Sequence, residues 1–402
     1  MKILIPSHCL EFTGEVQQVL LLAAEQGFNI NHIELGVSPT QCIELVDTET
    51  SRLYSNLFEL SGDGDLENKL TFFYGGEPQK VCLPNVVQIG VSYDERLVDS
   101  WLHQDETTLL IHSQTLSSSS NQSWHHFAWV VASLALDFPL EDALVLSRAA
   151  MNVSRETWPT QFQHFPAIEQ PAVSIAQTGF TTLCKQSLGL YPVVDNVEWI
   201  ERLLKLGIKT IQLRIKDPNE PSLERQIAKA IQLGREHKAQ VFINDYWQLA
   251  LKHNAFGVHL GQEDVLDADL ELIAESGMAL GLSTHGYFEL LRIHQLSPSY
   301  IALGHIFPTT TKQMPSKPQG LVRLGLYQKL LDSMPYGKSI GVPSVAIGGI
   351  DLDNIQQVLD QGVSSIAVVR AITEAKNVEA NVRELQSKFS RNLNKQEVFD
   401  AI

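Results

Sequence analysis

Through the second half of the chain, short apolar β-branched runs alternate with stretches whose apolar positions recur every three or four residues. The runs are LYPVVD (190–195), TIQLRIK (210–216), QVFINDY (240–246), FGVHLG (256–261), ALGLSTH (279–285), YIALGHIF (300–307), SVAIGGI (344–350) and SIAVVRAI (365–372). VEWIERLLKLG, LERQIAKAIQLGREH, DNIQQVLDQG and NVEANVRELQSKF lie between them with the spacing of amphipathic helices. Several of these close on Gly, which tolerates the left-handed turn after a helix. Eight strands and their helices within about 200 residues predict an α/β fold of the (β/α)8 TIM-barrel class. An open doubly wound sheet is the alternative. Near-equal units and no GxGxxG after the first strand argue against it.

Residues 1–170 have a less regular texture. EVQQVLLLAAEQG has helical spacing, and NVVQIGVS and ETTLLIHS read as strands. SSSSNQSWHH (117–126) reads as a loop, and WVVASLALDFPLEDALVLSRAAMNVS as two consecutive helices. This predicts a smaller α/β domain whose strand order the pattern does not fix. PTQFQHFPAIEQPAVS (159–174), with three prolines, is the predicted linker. The expected organisation is a domain over 1–170, a linker over 171–187, a barrel over 188–390 and a tail over 391–402.

Composition narrows the functional classes. The 402 residues are 44% hydrophobic and 19% charged, which suits two globular domains with sizeable cores. A formal net charge of -16 argues against a general nucleic-acid or membrane-surface binder. It still allows an anionic small molecule where a few cations dominate one pocket. Cys9, Cys42, Cys82 and Cys184 have neither CxxC spacing nor a nearby His cluster, so reduced thiols and a cytoplasmic location are expected. MKILIPSHCLEF has too short an apolar run for a signal peptide. No stretch approaches about 18 apolar residues, so no membrane span is expected. The sequence leaves self-association open.

In a TIM barrel the chemistry sits at the C-terminal strand ends. Gln212, Arg214 and Lys216 alternate and so face one side; burying two cations against the helices would be costly, which favours the lumen mouth. FINDYW places Asn244 and Asp245 at the third strand tip, and GVHLGQED places His259, Gln262 and Asp264 at the fourth. Either Asp can cap a turn or helix. Carboxylates from neighbouring tips also suit a hard cation such as Mg²⁺, which keeps water and phosphate oxygens in its shell. No HExxH or Cys/His set calls for zinc.

LSTH supplies Ser283, Thr284 and His285. GHIFPTTTKQMPS (304–316) gathers Thr309, Thr310, Thr311 and Lys312, which is either a polar surface loop or an anion clamp. AIGGI supplies Gly348 and Gly349, and VVRAI supplies Arg370, where barrels commonly hold a phosphate. Two anion sites result. One suits a diphosphate with Mg²⁺ on Asp245 and Asp264. The other, at Gly349, Val369 and Arg370, suits a monophosphate. No protein nucleophile stands out, as expected when a second phosphorylated substrate displaces pyrophosphate.

QLRIK, FINDYW, GVHLGQED, GLSTH, YIALGHIFPTTTKQMPS, VAIGGI and GVSSIAVV together resemble the thiamine-phosphate synthase (thiamine-phosphate pyrophosphorylase) family, over residues 188 to 388. The resemblance implies a transferase. It would join 4-amino-2-methyl-5-hydroxymethylpyrimidine diphosphate to 4-methyl-5-(2-phosphoethyl)thiazole, giving thiamine monophosphate and pyrophosphate. It assigns Gln212, Leu213, Arg214, Ile215, Lys216, Asn244, Ser283, Thr309, Thr310, Thr311 and Lys312 to the pyrimidine diphosphate. Arg214, Lys216, Lys312 and Ser283 would act in catalysis, Asp245 and Asp264 would carry Mg²⁺, and Gly349, Val369 and Arg370 would hold the thiazole phosphate. Two departures stand out. Tyr246 occupies a position where many members have a second Asp, and Arg370 one where many have Ser. Arg370 would either strengthen the phosphate site or crowd it.

LDFPLEDALVLSRAAMNVSRE (136–156) resembles the closing helices of a ribokinase-type hydroxymethylpyrimidine phosphate kinase. The Gly-rich anion loop expected before them is missing; SWHHFA (123–128) stands there, without a catalytic Asp-Gly pattern. The resemblance implies a degenerate, non-catalytic kinase-like domain in which His125 and His126 are loop residues. Two rivals exist for the whole chain. A thiazole tautomerase on the same barrel would lack the diphosphate-binding set, and a pathway regulator or scaffold would need no such set.

Overall fold

The structure, a computed structural model, describes residues 1–58, 69–76, 83–93, 96–104, 106–112, 121–169, 179–309 and 317–400, with side chains described as far as 389. The chain divides into two compact units, Met1–Ala172 and Val173–Ile402.

The first unit is built on β1 (Lys2–Pro6), α1 (Leu10–Glu25), β2 (Glu34–Ser38), β3 (Ile43–Val46), β4 (Thr50–Ser55), β5 (Lys69–Tyr74), β6 (Val86–Tyr93), β7 (Arg96–His103), β8 (Glu106–His112), α2 (Asn121–Ala135), α3 (Leu140–Ala150) and β9 (Ala167–Glu169). The strands form one mixed sheet in the order β2-β1-β3-β4-β5-β6-β7-β8-β9. β1, α1 and β2 make a parallel βαβ unit, and Phe12, Val16, Val19 and Ala23 give α1 its buried stripe at helical spacing. β3 then pairs antiparallel with the other edge of β1.

α2 begins inside the segment read as a loop. Ser123, His125 and His126 are buried helical residues, which corrects the placement of both histidines. All six residues from Phe127 to Ala132 are buried, so α2 has no solvent face there; α1 and α3 flank it. Several buried polar groups in this unit find partners from distant parts of the chain. The His125 Nδ1 lies 3.0 Å from Glu15 Oε2. Ser147 Oγ donates to the Leu144 carbonyl at 2.8 Å and so accepts from His126 Nε2, 2.9 Å away. The His126 Nδ1 therefore accepts the Tyr74 hydroxyl at 2.9 Å. Asp99 and Arg148, both nearly inaccessible, form a two-pronged ion pair, and Asp99 also accepts the Gly90 N–H at 2.8 Å. Burial alone would push the Asp99 carboxyl up. Arg148, together with a hydrogen bond from His112, outweighs burial and holds it well below the usual carboxylate range.

The predicted linker also needs correction. β9 lies within 159–174 and pairs antiparallel with β8, so this part belongs to the first sheet. Within 171–187, Leu183 packs into the core of the second unit together with Leu188. The supposed tail continues the last helix as far as Asp400.

The second unit opens with α4 (Lys185–Leu188) and β10 (Gly189–Val194), followed by α5 (Val197–Lys205), β11 (Thr210–Leu213), α6 (Leu223–His237), β12 (Gln240–Asn244), α7 (Trp247–Lys252) and β13 (Gly257–Leu260). Next come α8 (Asp264–Asp267), α9 (Leu270–Glu275), β14 (Ala279–Thr284), α10 (Tyr287–His294), β15 (Tyr300–Gly304) and α11 (Gly320–Ser333). A hairpin of β16 (Pro335–Tyr336) and β17 (Ser339–Ile340) precedes β18 (Ser344–Ile347), α12 (Ile355–Leu359), β19 (Ser365–Val368), α13 (Arg370–Thr373) and α14 (Val378–Asp400). Eight parallel strands close into a barrel when β19 pairs with β10, Gly189 opposite Ser365 through Pro192 opposite Val368. This is the predicted TIM-barrel fold.

Local sequence explains the layers. Asn196 accepts the Trp199 N–H at 3.0 Å and caps α5, which buries Ile200, Leu203 and Leu204. Inside the barrel, Tyr191, Phe242 and Tyr300 form an aromatic floor with ring centroids 5.2 to 5.9 Å apart. Gly281 makes room for it, since a Cβ there would sit 2.1 Å from the Tyr300 ring.

Candidate active site

The strand ends open into a cavity of about 1000 Å³. Gln212, Arg214, Ile215, Lys216, Asn244, Asp245, Asp264, Ser283, Thr309, Gly349, Val369 and Arg370 all line it. The structure thus brings both predicted anion sites into one space. Leu213 is the exception: it alternates to the other face of β11 and is buried. Thr310, Thr311 and Lys312 lie outside the described residues.

The route to Arg214 and Lys216 differs from the predicted one. β11 stops at Leu213, so residues 214–217 are irregular backbone, and all four of them line the mouth. Strand alternation does not aim these cations. Backbone anchors hold the segment instead. The Arg214 N–H donates to the Val194 carbonyl at 2.7 Å, and the Tyr246 hydroxyl donates to the Ile215 carbonyl at 3.1 Å.

On the next tip, Asp245 has a positive φ of 63°, a conformation that Asp tolerates better than most residues. Its N–H donates to the His259 carbonyl at 3.0 Å. Asp264 reaches back to accept the Gly261 N–H at 2.9 Å. It therefore orders the turn before α8 while its carboxylate lines the cavity. At the far side, the Phe307 N–H donates to the Gly348 carbonyl at 3.0 Å. Gly348 is required by this close approach, because a Cβ would lie 2.4 Å from His305 Cβ. Arg370 begins α13, just past the end of β19.

Below the mouth runs a chain of hydrogen bonds that the strand tips alone do not reveal. Gln212 Nε2 donates to Tyr191 Oη at 3.2 Å. The two tyrosine oxygens of Tyr191 and Tyr300 are 2.9 Å apart, Tyr300 Oη is 2.8 Å from His259 Nδ1, and His259 Nε2 is 2.9 Å from Ser283 Oγ. One assignment satisfies each group in turn: Tyr191 donates to Tyr300, Tyr300 to His259, and the His259 Nε2–H to Ser283. The Ser283 proton is then left to donate elsewhere. Burial pushes both tyrosine hydroxyls above their ordinary range, and Tyr191 adds to the effect on Tyr300. Both are therefore neutral donors. Tyr191 and Tyr300 sit toward the starts of their strands, where a search of strand tips overlooks them. Period-two alternation with Val193 and Ala302 was the signal available for the two tyrosines.

Charge balance around the cavity is informative. Arg214, Lys216 and Arg370 face the carboxylates of Asp195, Asp217, Asp245, Asp264, Asp351 and Glu374 among its lining residues. Among the described lining residues, three cations thus stand against six carboxylates. A divalent cation held by some of those carboxylates reverses the local sign. Asp245 and Asp264 offer hard oxygen donors from adjacent tips. Among the described residues no group of three His, Cys, Asp or Glu forms a complete protein cage. Two carboxylates, with the rest of the shell from water and phosphate, fit Mg²⁺.

Fold and cavity define the class: a (β/α)8 barrel with a ligand-sized, charge-lined cavity at the C-terminal ends of its strands. A family model described as thiamine monophosphate synthase matches residues 190–372. Thiamine-phosphate synthase of Proteus mirabilis is 56% identical over 191 residues, covering 48% of this chain and 85% of that relative. The Pectobacterium atrosepticum enzyme of the same name is 58% identical over 190 residues, 47% of this chain and 86% of its own length. A solved thiamine phosphate pyrophosphorylase from Pyrococcus furiosus aligns with a TM-score of 0.45 and 30% identity, over 52% of this chain and 98% of that one. By the identity and coverage of these sequence relatives, the chain belongs to the thiamine-phosphate synthase family, a family of transferases.

Proposed function

We propose that the barrel joins 4-amino-2-methyl-5-hydroxymethylpyrimidine diphosphate to 4-methyl-5-(2-phosphoethyl)thiazole, releasing pyrophosphate and thiamine monophosphate. The observation that carries this is convergence: cations, paired carboxylates, Ser283 and the Gly349–Arg370 corner share one cavity of about 1000 Å³. That is the upper end of ordinary ligand pockets, enough for two small substrates side by side.

In this reading the methylene C–O bond of the diphosphate breaks first, and its electron pair leaves with pyrophosphate. The aminopyrimidine spreads the resulting positive charge. Arg214 and Lys216, with Lys312 by family resemblance, stabilise the departing pyrophosphate. Asp245 and Asp264 would hold Mg²⁺, which supplies further neutralisation of diphosphate charge. Gln212, Asn244 and Ser283 orient the pyrimidine substrate, the last using the proton that the Tyr300–His259 chain leaves free to donate. Gly349, Val369 and Arg370 hold the thiazole phosphate so that the ring nitrogen attacks the methylene carbon. Positioning and electrostatics therefore carry the rate.

We read the first unit as a non-catalytic relative of the kinase. Phe12, Phe58, Trp124 and Phe127 pack together around the N-terminal end of α2, with centroids 5.3 to 5.9 Å apart. A cytoplasmic setting is in keeping with this function; Cys9, Cys42 and Cys184, the described cysteines, form no disulfide. No helix among the described residues is long and apolar enough to cross a membrane.

The test is product formation by the full chain with each precursor omitted in turn, with and without a chelator. Thiamine monophosphate should form only with both precursors and should fall away on chelation. Absence of product from a folded chain supplied with both precursors and Mg²⁺ would refute the reading.

A further inference from the structure

We propose that Tyr246 is a positioning residue for the diphosphate: its hydroxyl fixes the Arg214–Lys216 segment in register with the Asn244–Asp245 tip before substrate arrives. This rests on the proposed assignment of those residues to the diphosphate. The argument begins with the break in β11. Its ladder with β12 ends at Leu213 opposite Ile243, so the two cations project from backbone beyond the β11–β12 pairing. Ahead of them, the Arg214 N–H is held by the Val194 carbonyl at 2.7 Å. The Ile215 carbonyl lies between the two cationic residues, and the Tyr246 hydroxyl donates to it at 3.1 Å.

Tyr246 is well placed for this role. It follows Asp245 directly, and its own N–H donates to the Asn244 carbonyl at 2.8 Å. Its side chain therefore ties the cationic segment to the tip that carries Asn244 and Asp245. The phenol also stays a donor. A tyrosine phenol keeps its proton near pH 7, so the donor that makes the tether is retained. Tyr246 is absent from the cavity lining, and so acts through Arg214 and Lys216 and not on substrate.

A neutral hydrogen bond of this kind contributes about 1 kcal/mol, which corresponds to about five-fold in an equilibrium constant. Without the tether, the ordering of two long cationic side chains shifts to the moment of binding. The test uses Tyr246→Phe, which removes only the hydroxyl and keeps the ring. Inorganic pyrophosphate with Mg²⁺ is the titrant for calorimetry on the full chain, and steady-state kinetics use both precursors.

Three results together are expected: about five-fold weaker pyrophosphate binding, a similar rise in KM for the pyrimidine diphosphate, and kcat and the KM for the thiazole phosphate within two-fold of wild type. Wild-type affinity for pyrophosphate in Tyr246→Phe would overturn the proposal. An equal loss toward both substrates would also overturn it, as general damage to the fold. A wild-type chain that binds no pyrophosphate would instead remove the underlying site assignment, and the proposal with it.

Discussion

The two units treat buried polarity in opposite ways. In the first unit polar groups are closed on one another: Asp99 with Arg148, and Tyr74 through His126 to Ser147. These bonds lie inside the core, where they specify how the α2 and α3 layer sits on the sheet. In the barrel a comparable chain, Gln212–Tyr191–Tyr300–His259–Ser283, runs upward and ends at an open cavity. Its last hydroxyl keeps a proton to give. Cations and carboxylates stand beside it around the same space. The difference teaches that buried histidines and charges mark a functional site only when their network terminates at a cavity.

The sharpest way to break this contrast is to open the closed network. Arg148→Met strands the buried Asp99 charge and should destabilise the first unit by about 3–5 kcal/mol, read from denaturant unfolding. The same pair predicts an acid response. The folded Asp99 carboxyl titrates below its unfolded range, so its contribution is present above about pH 4 and is lost as pH falls further. The acid midpoint of the first unit's unfolding should therefore move to higher pH in Asp99→Asn, with the low-pH slope reduced. An unchanged profile would mean that the pair does not stabilise the fold.

Next in size is Arg214→Ala. Losing one preorganised cation should lower kcat/KM by about 10²–10³ with the fold intact, as checked by unfolding of the same sample. A smaller effect is expected from Gly281→Ala. The added methyl group meets the Tyr300 ring and should cost the barrel about 1–3 kcal/mol, with activity falling as the Tyr300–His259 chain shifts. The Tyr246→Phe effect, about five-fold on diphosphate binding, is the smallest of the series and refines how the mouth is aimed.

How much of this was legible in the sequence follows from the same contrast. Barrel strands repeat as short apolar runs, so their number, order and tips could be read, and most tip residues do line one cavity. Alternation failed at residues 214–217 because β11 ends at Leu213, a stop that depends on pairing with β12 and not on local composition. Tyr191 and Tyr300 escaped because they belong to the floor and not the tips. In the first unit, SSSSNQSWHH looks like a turn until Glu15, Tyr74 and Ser147 supply partners from far along the chain for the two histidines. The antiparallel insertion of β3 beside β1 is likewise set by long-range pairing that no local pattern encodes.

The most direct measurement is pyrophosphate release by the full chain with both precursors and Mg²⁺, comparing wild type, Arg214→Ala and Arg148→Met at a temperature where all three are folded. Wild type and Arg148→Met should release pyrophosphate at similar rates, and only when both precursors are present. Arg214→Ala should be at least about 100-fold slower. Release that survives in Arg214→Ala but is abolished in a folded Arg148→Met would put the chemistry in the first unit and contradict the account.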